Sequence, residues 1–98
     1  MNLKYLSDQQ LLKETQNLAQ KEREILTSVL HHLKEIDRRK LFSALGFKSL
    51  FDYAIKELKY SQDQAYRRIQ AMRALRDLPE IEEKIEQGAV SLTNLSMA

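Results

Sequence analysis

Ser49–Asp77 reads SLFDYAIKELKYSQDQAYRRIQAMRALRD, and its internal punctuation decides the fold. Ser49 precedes Asp52 by three residues, and Ser61 precedes Gln64 by three. In such pairs the serine hydroxyl caps a free backbone N–H and the later side chain reaches back. The spacing predicts a helix from about Leu50 to about Leu58 and a second from about Gln62 to about Arg76. Lys59-Tyr60-Ser61 is then the turn of a helix-turn-helix. Leu50, Phe51, Ala54, Ile55 and Leu58 share one face of the first helix. Ala65, Ile69, Met72 and either Leu75 or Arg76 share one face of the second.

That arrangement leaves Gln62, Asp63, Tyr66, Arg67, Gln70 and Arg73 pointing outward. Arg pairs bidentately with guanine, Gln with adenine, and both reach phosphates, so the face suits a major groove. Arg67, Arg68 and Arg73 are the candidates for phosphate or base contact, with Gln62, Tyr66 and Gln70 for local readout. Asp52, Glu57, Asp63 and Asp77 dilute the positive charge, and an ordinary solvated face is the competing reading.

The 98 residues suit one small domain. With two glycines, one proline and no alternating β-branched run, the chain is expected to be all-α. Three parts are expected: residues 1–46 as a long helix and dimerisation arm, 47–78 as the helix-turn-helix, and 79–98 as short closing helices. The chain has no cysteine, so disulfides and thiolate chemistry are excluded and a reducing cytoplasm is the expected location. Apolar runs are too short to span a membrane, and the N-terminus lacks the apolar core of a signal peptide. The net charge of +2 divides as +2 over residues 1–46, +3 over 47–78 and −3 over 79–98. So small an excess supports only weak non-specific DNA binding, and the acidic close is able to pair with the basic surface.

From the N-terminus, Ser7 and Gln10 form a third capping box. Leu11, Thr15, Leu18, Glu22, Ile25, Val29, Leu33 (or His32) and Ile36 follow at steps of three or four. Leu12, Ala19, Leu26 and Leu30 widen the stripe, and Glu22 interrupts it. The pattern fits one helix of about thirty residues, or two broken near Gln20-Lys21. Its apolar surplus calls for a partner helix, from a second copy or from the helices that follow. Arg38, Arg39 and Lys40 suit the dipole of a helix C-terminus and are secondary phosphate candidates. Leu41–Leu45 is expected to continue helically to a cap at Gly46. Pro79 is placed near the first position of a helix reaching Gln87, with Ile81 and Ile85 inward and Glu80, Glu82, Glu83 and Glu86 outward. Gly88 ends it, and Ser91 caps a last segment bearing Leu92, Leu95 and Met97. That segment reads as the beginning of something longer.

No pattern for catalysis emerges. His31 and Glu35, four apart, are spaced to share a metal, but two ligands do not make a site. There is no Gly-rich phosphate loop and no nucleophile elbow. The expectation is a non-catalytic chain with no cofactor and no small-molecule substrate.

The runs LKEIDRRKLF (33–42), LGFKSLFDY (45–53), YSQDQAYRRIQAMR (60–73) and the PEI…GAVSLTNLS close resemble the N-terminal region of bacterial HNH endonuclease-like proteins. The opening LSDQQLLKET (6–15) matches as well. The resemblance covers nearly the whole chain and is most specific at AYRRIQAMR (65–73). It implies a helical accessory domain that binds DNA or dimerises. The HNH core of that family needs histidines and an asparagine spread over a β-β-α unit, whereas this chain has only His31 and His32. Nuclease activity is therefore not implied, although a fragment of a longer nuclease is a third reading. The second half is also similar to the helix-turn-helix of ParB-like partition proteins, through Ser61, Leu78, Pro79 and Gly88–Leu92. By position that similarity makes Ser61, Gln62, Tyr66, Arg67 and Gln70 base-facing. Lys59 departs from it, standing where glycine is usual because of a positive φ.

Overall fold

A computed structural model describes residues 2–89; the expected cap at Ser91 and the segment after it lie outside them. The protein is all-α. A 3-10 turn at Leu3–Tyr5 leads into α1 (Asp8–Arg39), α2 (Leu41–Ala44), α3 (Leu50–Lys56), α4 (Gln62–Asp77) and α5 (Ile81–Glu86).

α1 opens on the expected capping box. Ser7 Oγ accepts the Gln10 N–H at 3.2 Å, and Gln10 Oε1 accepts the Ser7 N–H at 3.0 Å. The helix then runs unbroken for 32 residues, so there is no division near Gln20-Lys21. At 1.5 Å per residue it is about 48 Å long, more than the other described helices cover. Asp8 to Leu18 are all exposed. Burial begins in the second half, where Thr27, Leu30 and Leu33 face the core and His32 is exposed.

The end of α1 differs from expectation. Lys40 takes a left-handed conformation (φ 53°, ψ 40°), so the helix breaks there instead of running on to Gly46. The break turns the chain back, and the half-buried Phe42 packs against the core. Gly46 (φ +91°) ends the short α2 as expected.

α3 shows only half a capping box. Ser49 Oγ accepts the Asp52 N–H at 3.0 Å, but the Asp52 carboxylate accepts the Lys48 N–H at 3.2 Å and pairs with Lys56 at 3.0 Å. These partners, the Lys56 contact foremost, hold the Asp52 carboxyl below its usual range. α3 also stops at Lys56, two residues before Leu58. The chain turns through Lys59 at φ +64°, so the turn keeps the positive φ despite lacking glycine. A lysine in that region costs about 1 kcal/mol or more. The Tyr60 N–H then donates to the Ala54 carbonyl at 3.2 Å, tying the turn to α3.

α4 has a full capping box, with Ser61 and Gln64 bonded reciprocally at 3.0 and 3.1 Å. Its inner face is Ala65, Ile69, Met72 and Leu75, with Ala71 beside them; Arg76 is exposed. Ile69, Ala71, Met72 and Leu75 meet Leu30 and Leu33 of α1, Leu50 of α3 and Ile85 of α5 in one core.

α5 begins at Ile81, so Pro79 lies in the turn before it and not at its first position. Leu78, disfavoured from helical ψ by the following proline, sits at φ −134°, ψ 79°. Ile85 is buried as expected. Two of the four glutamates expected outward instead face α1. Thr27 Oγ1 donates to Glu86 Oε1 at 3.0 Å, Arg23 Nε to the Glu86 carbonyl at 3.1 Å, and His31 Nε2 lies 2.7 Å from Glu82 Oε1. Arg23, Thr27 and His31 stand at steps of four on α1, and Glu82 and Glu86 repeat that step on α5, so one ladder joins the two helices. Among the described residues the acidic close thus pairs with α1 and not with the arginines of α4.

Candidate nucleic-acid interface

The inner face of α4 fixes which side chains it offers to water. Gln62, Tyr66, Arg67 and Arg73 are exposed and Gln70 is half-buried. Tyr66 is 51% exposed. Among the described residues no carboxylate pairs with Arg67 or Arg73. Arg76, in contrast, is engaged by Asp37 at 3.8 Å and Asp77 at 3.4 Å.

An open cleft of about 530 Å³ adjoins this row, between α4 and the α2–α3 connection. Phe42, Leu50, Phe51 and Ile69 form its apolar walls, and Tyr66, Gln70, Arg73 and Lys48 stand around it. Lys48 was not singled out by the sequence. Its position directly before the Ser49 cap was the available signal, since the start of α3 packs beside α4.

Three other candidates are placed differently. Arg68 lies on the opposite flank of α4, its guanidinium 4.5 Å from the centroid of the Tyr60 ring. Arg68 Nη1 donates to the Gln64 carbonyl at 3.4 Å, while its buried Nε has no protein acceptor. That side chain braces the α3–α4 turn and does not join the row of Arg67 and Arg73. Ser61 uses its hydroxyl to cap α4. Lys40 is exposed at the left-handed break.

Arg38 and Arg39 converge on Glu35. Arg38 Nε donates to Glu35 Oε1 at 3.0 Å and Arg38 Nη2 to Oε2, and Arg39 Nε reaches Oε2 at 2.7 Å. The two guanidiniums, Arg38 first, pull the Glu35 carboxyl down to about 2. A carboxylate whose folded pKa is depressed stabilises the fold above its ordinary value of 4.5, and this contribution is lost as pH falls toward 2. A carbon-detected NMR titration of the Glu35 carboxyl should therefore show a midpoint near 2, and a midpoint near 4.5 would mean the fork is not held in solution. The same geometry engages both members of the His31–Glu35 pair. Glu35 is taken by arginines and His31 by Glu82, and no group of three or more ligating side chains forms among the described residues.

No protein-family model, curated protein or solved structure matches this chain. No helix among the described residues is long and apolar enough to cross a membrane.

Proposed function

We propose that the chain is a non-catalytic DNA-binding domain of helix-turn-helix type, with α4 as the helix that enters the major groove. One observation carries this reading: Arg67 and Arg73 stand exposed, and unpaired among the described residues, on the same side as Tyr66 and Gln70, while the opposite face of α4 is locked in the core. Guanidinium groups held this way neutralise phosphate without first breaking an ion pair. Gln62 and Gln70 have the amide pattern that reads adenine, and Tyr66 supplies an apolar edge for base or sugar. Lys48 adds a cation beside the row. Lys40 is a secondary phosphate contact, whereas Arg38 and Arg39 would have to leave Glu35 first. The resemblance to the N-terminal region of HNH endonuclease-like proteins and to ParB-like proteins supports the same reading, and Lys59 keeps the positive φ that those turns use. The absence of cysteine fits a cytoplasmic location.

The test is fluorescence anisotropy of a labelled mixed-sequence duplex at about 50 and about 200 mM salt. Binding is expected with a dissociation constant of about 10⁻⁴ to 10⁻⁶ M near physiological salt, tightening steeply as salt falls. A folded, helical protein that fails to bind at low salt contradicts the reading.

A second reading, an association module whose partner is another copy of the chain, is favoured by the first half of α1, which no other described element covers. There Leu11, Leu12 and Leu18 are 38, 64 and 55% exposed. The two readings are compatible, because that arm is a different surface from the α4 row.

A further inference from the structure

The cleft beside α4 is larger than contact with a DNA groove requires. Its volume of about 530 Å³ lies in the range of small-ligand sites, about 300–1,000 Å³. Phe42, Leu50, Phe51 and Ile69 wall it, and the Phe51 ring keeps 38% of its surface exposed. Tyr66, Gln70 and Arg73 follow at steps of four and three along α4, so they stand one above the next at the edge of the cleft. Lys48 joins them from the connection between α2 and α3. Asp37 is the one carboxylate on the lining, and Arg76 engages it at 3.8 Å. The nearby Asp52 accepts the Lys48 N–H and pairs with Lys56. Among the described residues neither Lys48 nor Arg73 has an ion pair.

The two cations at the rim select an anion, and the apolar walls select a ring face. A paired base in a stacked duplex offers the groove only its edge, which is polar apart from the thymine methyl. Its ring faces are covered by the bases above and below, and one methyl group does not fill a cleft of four apolar walls. A base outside the stack shows a whole ring face and carries a phosphate on either side. We propose that the cleft takes an unpaired nucleobase of DNA. Its ring face lies on Phe51 and Tyr66, Gln70 bonds its edge, and Lys48 and Arg73 hold the flanking phosphates. This assignment rests on the reading of α4 as the DNA-contacting helix. Every base has a ring face and a Gln amide both donates and accepts, so the cleft accepts any of the four bases. Taking a base out of an intact pair costs unstacking and unpairing, and the cost is least where the base already lacks a partner. The occupant is therefore a bulged base and not one drawn from a Watson–Crick pair.

The test is anisotropy of three labelled duplexes of one sequence, titrated with the whole chain at about 50 mM salt. One is fully paired, one carries a single unpaired thymidine, and one carries an abasic spacer at that place, which bends the duplex without offering a base. The unpaired-thymidine duplex is expected to bind about tenfold tighter than either control, the gain that one base stacked on an aromatic ring supplies. Phe51→Ala, on α3 and outside the α4 row, should bring that duplex to the level of the controls with helicity unchanged. The abasic control uses the wild-type chain alone, so the cleft is tested even where Phe51→Ala does not fold. Equal binding of all three duplexes overturns the cleft assignment and leaves the α4 reading standing. Equal gains from the thymidine and the abasic spacer show a preference for bent DNA and overturn it too, as does a thymidine preference that survives Phe51→Ala. Failure to bind any of the three overturns the α4 reading and the cleft with it.

Discussion

Replacing Leu30 by alanine is expected to destabilise the protein by about 2–5 kcal/mol. Leu30 has no exposed surface and is one of the three largest fully buried side chains, with Leu33 and Met72. It lies in the core where α1 meets α3, α4 and α5, so the void left by alanine borders several helices. The deleted methyl groups lose their transfer free energy, and the residual cavity adds to the cost because close-packed neighbours relax only partly. A small domain has about 5–15 kcal/mol in all, and each kcal/mol shifts the melting temperature by about 4–8 °C at this size. A fall of about 10 °C or more in a circular dichroism melt is therefore expected. Leu45→Ala is the control: Leu45 is 64% exposed, and its removal should change stability by no more than about 0.5 kcal/mol. Equal effects at both positions would refute the assigned core.

Arg67→Ala combined with Arg73→Ala should weaken duplex binding by an order of magnitude or more at low salt and leave helicity unchanged. Both side chains are exposed, so the fold loses little. Each phosphate contact releases counterions, and losing two should flatten the salt dependence by about two logarithmic units per unit of log salt. Arg38→Ala with Arg39→Ala should do less, because those guanidiniums are already held by Glu35. Arg68→Ala should act chiefly on stability, through loss of its packing on Tyr60, worth about 0.5–1 kcal/mol at a partly exposed site. Anisotropy titrations beside thermal melts separate these outcomes. Unchanged affinity in the Arg67/Arg73 variant would remove α4 as the contacting helix.

What the chain discloses by sequence alone is mostly local. The boxes at Ser7–Gln10 and Ser61–Gln64 formed as read, because each is closed by residues three apart whose geometry depends on little else. The inner face of α4 followed from period, and burial decided for Leu75 over Arg76. Asp52 was harder, since its carboxylate had several local partners and took Lys48 N–H and Lys56 over the Ser49 N–H. The break at Lys40 carries no glycine or proline to announce it. Its reason is tertiary: the chain must turn for Phe42 to reach the core. The inward turn of Glu82 and Glu86 was likewise hidden, because their partners lie 51 to 63 residues away on α1. Within the candidate site the same division holds. Helical period placed Tyr66, Arg67, Gln70 and Arg73 on the free face, while the withdrawal of Arg68 onto Tyr60 and the arrival of Lys48 depend on packing between elements.

The most direct measurement is a ¹⁵N–¹H NMR titration of the chain with a short duplex at low salt. Contact through α4 predicts amide shifts centred on Gln62, Tyr66, Arg67, Gln70 and Arg73, with Lys48 at their edge and the first half of α1 unmoved. Shifts confined to α1, or none while the duplex is in excess, would contradict the assignment of α4 as a nucleic-acid-binding helix.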